Sequence, residues 1–214
     1  RVKRLLVTGA GGSAGRALIE GLGDDFEVLG TRRDIGPFRL DVTDPESWSR
    51  LLETQEVDAV LHTVGAFSYQ PIDACDPGTW RSLMSSNLDS AFYAYHFCRE
   101  ALRRHRGRLI FFGLAGVSTH RAEPNLSAYA AAKSGLMSLV SSIARVEAPF
   151  GVTCNVIAPG LLHDASAEAV SRFRIPARRT ATEGELVGCV RYLLSDEAAQ
   201  VTGTTITLSG GWRL

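Results

Sequence analysis

Short apolar runs alternate with segments of helical period along almost the whole chain, and that order limits the fold more than any other feature. The runs Val2–Val7, Phe26–Thr31, Asp58–Thr63, Arg108–Phe112, Val152–Ala158 and Thr204–Leu208 have the length of buried strands. Between them Ser13–Leu22, Pro45 to about Gln55, Thr79–Arg104, Ser127 to about Ala148 and Thr182–Leu194 read as helices. Pro149 stops the fourth of these, because proline cannot continue an interior helical hydrogen bond. A strand followed by a helix returns to a parallel neighbour, so the repeat predicts a doubly wound parallel α/β sheet of about seven strands, helices on both faces. No internal repeat, low-complexity tract or linker interrupts the 214 residues, so residues 1–214 are expected to form one domain. Ligands of such sheets bind beyond the carboxyl ends of the strands.

Charge and cysteine usage narrow the partners. Twenty-three basic residues balance 23 acidic ones, so no overall field favours nucleic acid, a membrane surface or acidic partners. The basic run Arg103-Arg104-His105-Arg106-Gly107-Arg108 fits a solvated helix C-terminus, where cations complement the dipole. No apolar stretch approaches the length of a membrane span, and no signal peptide opens the chain. The first residue is Arg1, so the natural start is expected upstream. Cys75, Cys98, Cys154 and Cys189 are scattered without metal-ligand spacing, as expected of thiols in a reducing cytoplasm, and no metal site is predicted.

The first turn carries the first functional signal. Thr8-Gly9-Ala10-Gly11-Gly12-Ser13-Ala14-Gly15 follows the first strand and opens the first helix. Glycine lets the backbone approach a pyrophosphate, and the helix N-terminus presents N–H groups and a positive dipole end to it. At the tip of the second strand the chain reads Gly30-Thr31-Arg32-Arg33. A carboxylate there would bind an adenosine ribose 2′-hydroxyl, whereas arginine accepts a 2′-phosphate. Asp34 comes one or two residues late for the carboxylate role, so NADP(H) is the expected cofactor; two solvated loop arginines would read the same way.

Tyr129-Ala130-Ala131-Ala132-Lys133 carries the second signal. It places a phenol and an ammonium one helical turn apart on one face. A phenol titrates near pH 10, and an adjacent cation is expected to lower that value and make Tyr129 a usable general acid. Among the 23 basic residues only Lys3 and Lys133 are lysines, which suggests that a compact ammonium is needed at 133.

With these motifs in their order, residues from Lys3 to Gly211 resemble the short-chain dehydrogenase/reductase family, whose fold is the Rossmann type. Thr8–Gly15 is similar to the family's TGxxxGxG turn, with Ser13 at the middle glycine; through Gly9, Gly12 and Gly15 it fits a TGxxGxxG spacing. Asp41-Val42 resembles the segment that contacts the adenine ring. His62-Thr63-Val64-Gly65 occupies the place of the family's NNAG and keeps only the glycine. Asn87 matches the asparagine of the catalytic tetrad, and Tyr129 and Lys133 match its YxxxK. Asn155–Gly160 resembles the strand leading to the PG turn that holds the nicotinamide, and Ser209-Gly210-Gly211 the closing strand. The resemblance implies cofactor contacts from Thr8, Gly9, Gly12, Ser13, Ala14, Gly15, Arg32, Arg33, Asp41, Val42, Thr63, Val64, Gly65, Tyr129, Lys133, Pro159, Gly160 and Leu162. It also implies a homo-oligomer, dimer or tetramer, built on the two long central helices. Asn87 would hold a water in the proton relay; capping or kinking its own helix is the structural alternative.

Three departures from the family pattern stand out. Gly113, in Phe111-Phe112-Gly113-Leu114-Ala115-Gly116, stands where the catalytic serine is usual, and losing one such donor is worth roughly 2–4 kcal/mol in the barrier. Ser118 is the candidate replacement hydroxyl, with a plain loop serine as the alternative. Family members that reduce already activated substrates work without the serine. Gly36–Leu40 is too short for the usual helix after the second strand, and Leu161–Arg174 is a reduced lid in which Asp164 replaces a threonine and His163 stands beside it. The expected function is NADP(H)-dependent reduction of a small carbonyl or activated C=N/C=C substrate, with catalytic roles for Tyr129, Lys133, Asn87 and Ser118. A non-enzymatic NADP(H) sensor or scaffold and an NAD-dependent alcohol dehydrogenase remain open.

Overall fold

In the computed structural model, residues 4–117, 122–162, 165 and 173–213 are described. Six strands form one parallel sheet: β1 (Arg4–Thr8), β2 (Glu27–Thr31), β3 (Ala59–His62), β4 (Arg108–Phe112), β5 (Thr153–Pro159) and β6 (Thr205–Leu208). Their order across the sheet is β2-β1-β3-β4-β5-β6. β1 is flanked on both sides, with Thr8 opposite Thr31 of β2 and His62 of β3. The chain reverses its direction of travel across the sheet at that point, so the carboxyl ends of these strands border a crevice.

Among the described residues six α-helices cover the faces: α1 (Ser13–Leu22), α2 (Pro45–Thr54), α3 (Pro77–Met84), α4 (Ser90–His105), α5 (Ser127–Glu147) and α6 (Glu183–Leu194). One core holds Leu6, Val60, Leu109 and Val156 against Trp48 of α2, Ala94 and Leu102 of α4 and Leu136 of α5. The other holds Leu5, Leu61, Ile110 and Ile157 against Leu18 of α1 and Leu186 and Val190 of α6. Successive strand residues face opposite cores, which is why these strands are apolar throughout rather than alternating. α2 begins at an Asp44 cap followed by Pro45, and α6 at a Thr182–Glu185 capping box, so both starts are written locally.

Two expectations need correction. The sheet has six strands among the described residues rather than about seven. The stretch 36–40 is too short to run a further strand beside β2, and only the isolated bridge between Arg32 and Arg39 remains of one. The helix expected over Thr79–Arg104 is two helices, α3 and α4, joined by a π-helical turn over Ser85–Asp89. A π turn inserts one residue and steps the apolar stripe around the helix, a single step that the scattered apolar positions of this stretch do not resolve.

Candidate active site

Above the carboxyl ends of β1 and β2 lies a cleft of about 480 Å3, lined by Gly9, Gly11, Gly12, Thr31, Arg32, Arg33, Asp41, Val42 and Val64. Its floor is the glycine turn. Gly9 adopts φ +73°, and a side chain there would strike Thr63 Oγ1 at 2.8 Å and Val64 at 2.9 Å, while one at Gly15 would overlap the Gly9 carbonyl. Thr63 in turn donates its hydroxyl to the Thr8 carbonyl at 2.6 Å, tying β3 to the turn. Gly12 caps α1 without a side-chain hydrogen bond, so no side chain competes with a ligand at that cap. Arg32 lies over the turn: a β-carbon added at Gly11 would meet its side chain at 3.6 Å. The Asp41 carboxyl is pushed up by burial, but the stronger opposing effect of two Thr43 hydrogen bonds and the nearby Arg33 charge holds it below its ordinary value. An acid kept ionised at that wall is placed to accept hydrogen bonds and not to donate them.

The second group of residues gathers where β3, β4 and α5 meet. Lys133 is 4% exposed, and its ammonium donates to the Phe112 carbonyl at 2.6 Å. Asn87, 1% exposed, sits in the π turn and donates to the carbonyls of Ala66 at 2.9 Å and Leu83 at 3.0 Å. Its carbonyl oxygen accepts no hydrogen bond among the described residues. Both side chains point at Gly65: a β-carbon added there would overlap the Asn87 oxygen and lie 3.2 Å from Lys133 Nζ. Tyr129, one turn from Lys133 along α5, has its ring centroid 5.6 Å from the ammonium. The Phe67 ring packs edge-on against it at 5.2 Å while staying 64% exposed.

The electrostatics differ from the sequence expectation. Burial pushes the Tyr129 phenol up to about 12 and brings the Lys133 ammonium down to about 8. Among the protein's own groups, desolvation outweighs the attraction between the two. Next to them His62 is held neutral, its pKa brought to about 3 first by burial and then by the Lys133 charge. Its ring joins Thr8 Oγ1 at 3.0 Å to Ser90 Oγ at 3.0 Å, so it braces β1 against the start of α4.

Among the described residues at the end of β4, 113–117, no side chain offers a hydroxyl. Gly113, Leu114 and Ala115 are buried, and a β-carbon on Gly113 would strike Val156 at 2.7 Å. The space of a serine side chain is therefore already filled.

A family model described as enoyl-(acyl carrier protein) reductase matches residues 15–213. The chain belongs to the short-chain dehydrogenase/reductase family of oxidoreductases. Among its relatives, the 3-oxoacyl-(acyl-carrier-protein) reductase of Salmonella typhimurium is 32% identical over 98% of this chain and 96% of the relative. The corresponding reductase of Mycobacterium bovis is 29% identical over 98% and 92%. Among solved structures, a short-chain dehydrogenase/reductase family oxidoreductase from Burkholderia thailandensis superposes with a TM-score of 0.87 at 26% identity, covering 99% of this chain and 92% of the other. Aldohexose dehydrogenase from Thermoplasma acidophilum gives 0.85 at 25% identity, over 99% and 94%.

Within this family frame, the sequence-predicted residues fall into three sets. Thr8 to Gly15, Arg32, Arg33, Asp41, Val42, Thr63 and Val64 surround the cleft or its floor, and Gly65, Asn87, Tyr129 and Lys133 converge beside it. Pro159 ends β5, and Gly160 is held to β6 by its N–H to the Leu208 carbonyl at 2.9 Å; Leu162 bridges to Ala181. Ser118, His163 and Asp164 lie outside the described residues. Sequence reading passed over Thr31, whose buried hydroxyl has no partner among the described residues and lines the cleft. Its place as the last residue of β2, beside Arg32, was the available signal. The bracing role of His62 had none, because histidine departs from the asparagine of the family motif.

Proposed function

We propose that this chain is an NADP(H)-dependent reductase of a small carbonyl, or of an activated C=N or C=C substrate, with Tyr129 as general acid. The observation that carries the reading is the convergence of the Asn87 carbonyl oxygen and the Lys133 ammonium on Gly65, one helical turn from the Tyr129 phenol. The cleft fits the nucleotide end of a dinucleotide: its floor excludes side chains at Gly9 and Gly15, the Thr31 hydroxyl is unpartnered among the described residues, and two arginines meet it at the tip of β2. Arg32 and Arg33 would hold a 2′-phosphate, and Thr63, Val64, Gly65, Gly160 and Leu162 would bound the nicotinamide end.

When bound, the nicotinamide supplies hydride. The protein's part is alignment and proton supply. Tyr129 hands its phenolic proton to the heteroatom of the substrate, and the Lys133 ammonium favours the tyrosinate that remains. Asn87 Oδ1 is placed to accept from a water, through which the proton is replaced from solvent. Among the described residues, the apolar wall of Gly113, Leu114 and Ala115 gives the substrate oxygen no hydroxyl, and substrates that already polarise their double bond suit such a wall. The relatives named above make a 3-oxoacyl thioester the first carbonyl to test.

NADPH and NADH oxidation against 3-oxoacyl thioesters, simple ketones and a quinonoid dihydropteridine tests the reading. Turnover with NADPH favoured is expected; preference for NADH would overturn the cofactor assignment. A second reading, a non-catalytic NADP(H)-binding sensor, draws support from Val156 filling the serine's space and from the raised Tyr129 phenol. Tight NADPH binding without turnover, unchanged in Tyr129→Phe, would select it. We also place the protein in the cytoplasm, in keeping with four free cysteines and with no helix, among the described residues, long and apolar enough to cross a membrane. A homo-oligomer through α4 and α5 is the expected assembly, given Phe92 and Val146 exposed on those helices.

A further inference from the structure

The segment after β6 does more than end the sheet. Trp212 and Arg213 follow Gly210 and Gly211, and they reach in two directions. The Trp212 ring meets Phe173 edge-on at 5.6 Å. Arg213 turns into left-handed backbone, φ +61°, which a side-chain-bearing residue rarely adopts without a compensating contact. Its guanidinium provides one. Nε donates to the Ala115 carbonyl at 2.8 Å, NH1 donates to Glu123 Oε2 at 3.3 Å, and NH2 pairs with the other Glu123 oxygen. The Arg213 side chain is only 9% exposed and Glu123 19%, so the pair is screened from solvent far better than a surface salt bridge.

What the two partners of Arg213 hold is the point. Ala115 lies three residues beyond Phe112, the residue whose carbonyl takes the Lys133 ammonium. Glu123 supplies the carbonyl that receives the Leu126 N–H at 3.0 Å and the Ser127 hydroxyl at 2.6 Å, and the Leu126 carbonyl receives the Ala130 N–H at 2.7 Å. Glu123 therefore carries the first turn of α5, on which Tyr129 stands. α5 has no side-chain hydrogen bond at its cap residue, Leu126, so this carbonyl anchors a start the local sequence leaves weak. One guanidinium fixes the exit of β4 and the entry of α5 to the strap that follows β6.

We propose that Arg213 is a positioning residue: through Glu123 and the Ala115 carbonyl it sets where the Tyr129 phenol meets the substrate, and it leaves the nucleotide cleft alone. The proposal rests on Tyr129 being the proton donor. Arg213→Ala, Arg213→Lys and Glu123→Gln are compared for NADPH affinity by fluorescence titration, for NADPH-dependent reduction of a 3-oxoacyl N-acetylcysteamine thioester, and for amide hydrogen exchange. Arg213→Ala is expected to lower kcat about tenfold to a hundredfold with NADPH affinity held within twofold, the size of loss that a misplaced reacting group causes. Arg213→Lys should recover part of kcat, and exchange at Leu126 and Ala130 should quicken while α4 is unchanged. An unaltered kcat, or NADPH affinity falling in step with kcat, overturns the proposal. Failure of the wild type to reduce any carbonyl would instead overturn the reductase reading. Exchange then decides alone: Arg213→Ala with wild-type exchange at Leu126 and Ala130 removes the latch.

Discussion

The two sides of the proposed site, one for nucleotide and one for substrate, are built by different means. Around β1 and β2 the site is backbone: a turn that excludes side chains at Gly9 and Gly15, with Arg32 laid across Gly11. Around β4 and α5 it is side chains, the buried Lys133 and Asn87 and the half-buried Tyr129, held in place by long-range contacts. The first kind of site depends on a few residues adjacent in sequence. The second depends on many distant partners, so one of its members, Gly113, can change and be absorbed by a neighbour, Val156.

The largest effect should separate the two sides outright. Tyr129→Phe removes only the proton donor, so kcat/KM for NADPH-dependent reduction should fall by about 10²–10⁴-fold. NADPH affinity, read by fluorescence titration, should stay near that of the wild type. Equal losses in both would erase the distinction between the halves.

The Arg32→Ala/Arg33→Ala variant probes the other side. Loss of charge-assisted contacts worth about 1.5–3 kcal/mol should weaken NADPH relative to NADH by roughly ten- to a hundredfold. Turnover at saturating cofactor should change little. Stopped-flow binding of both cofactors gives the ratio.

pH sharpens the contrast further. Burial brings Lys133 to about 8 from its ordinary 10.5, so kcat/KM for reduction should fall as pH climbs past about 8 and the ammonium is lost. Stability moves the opposite way. The unfolded chain binds the extra proton between those two values, so Lys133 contributes stability that grows with pH across that window, at up to about 1.4 kcal/mol per pH unit. Denaturant titrations from pH 7.5 to 9.5 should show that slope in the wild type and not in Lys133→Met.

The smallest change concerns the missing hydroxyl. Gly113→Ser alone should cost about 1–3 kcal/mol of stability, because its side chain meets Val156. Gly113→Ser/Val156→Ala should recover part of the melting temperature and, if the serine regains its place, raise kcat for simple ketones above wild type.

Much of this was legible in the chain. The alternation of apolar runs and helical segments gave the parallel sheet, because strands buried on both faces must be apolar throughout, and the capping residues Asp44 and Thr182 marked two helix starts. The π turn at Asn87 was hidden, since a one-residue step in the apolar stripe is lost among the scattered apolar positions of that stretch. The site's residue types were readable from Tyr129, Lys133 and Asn87, but their electrostatics were not. The sign of the Tyr129 shift depends on how deeply α5, Phe67 and the β4 end enclose it, which no local spacing encodes. The Arg213–Glu123 pair joins residues 90 apart in sequence and was equally out of reach.

The shortened stretch between β2 and α2 has a cost beyond the cleft it borders. With only the Arg32–Arg39 bridge beside it, β2 forms a margin of the sheet whose unpaired amides and carbonyls offer a template to any extended peptide. The chain guards that margin with charge. Glu27, paired to Arg4 at 2.8 Å, stands at one end, and Arg32, Arg33 and Asp34 crowd the other, so an incoming strand would have to strip water from ions before it could zip on. Neutralising those charges would leave that corner of the sheet open to strand addition and aggregation.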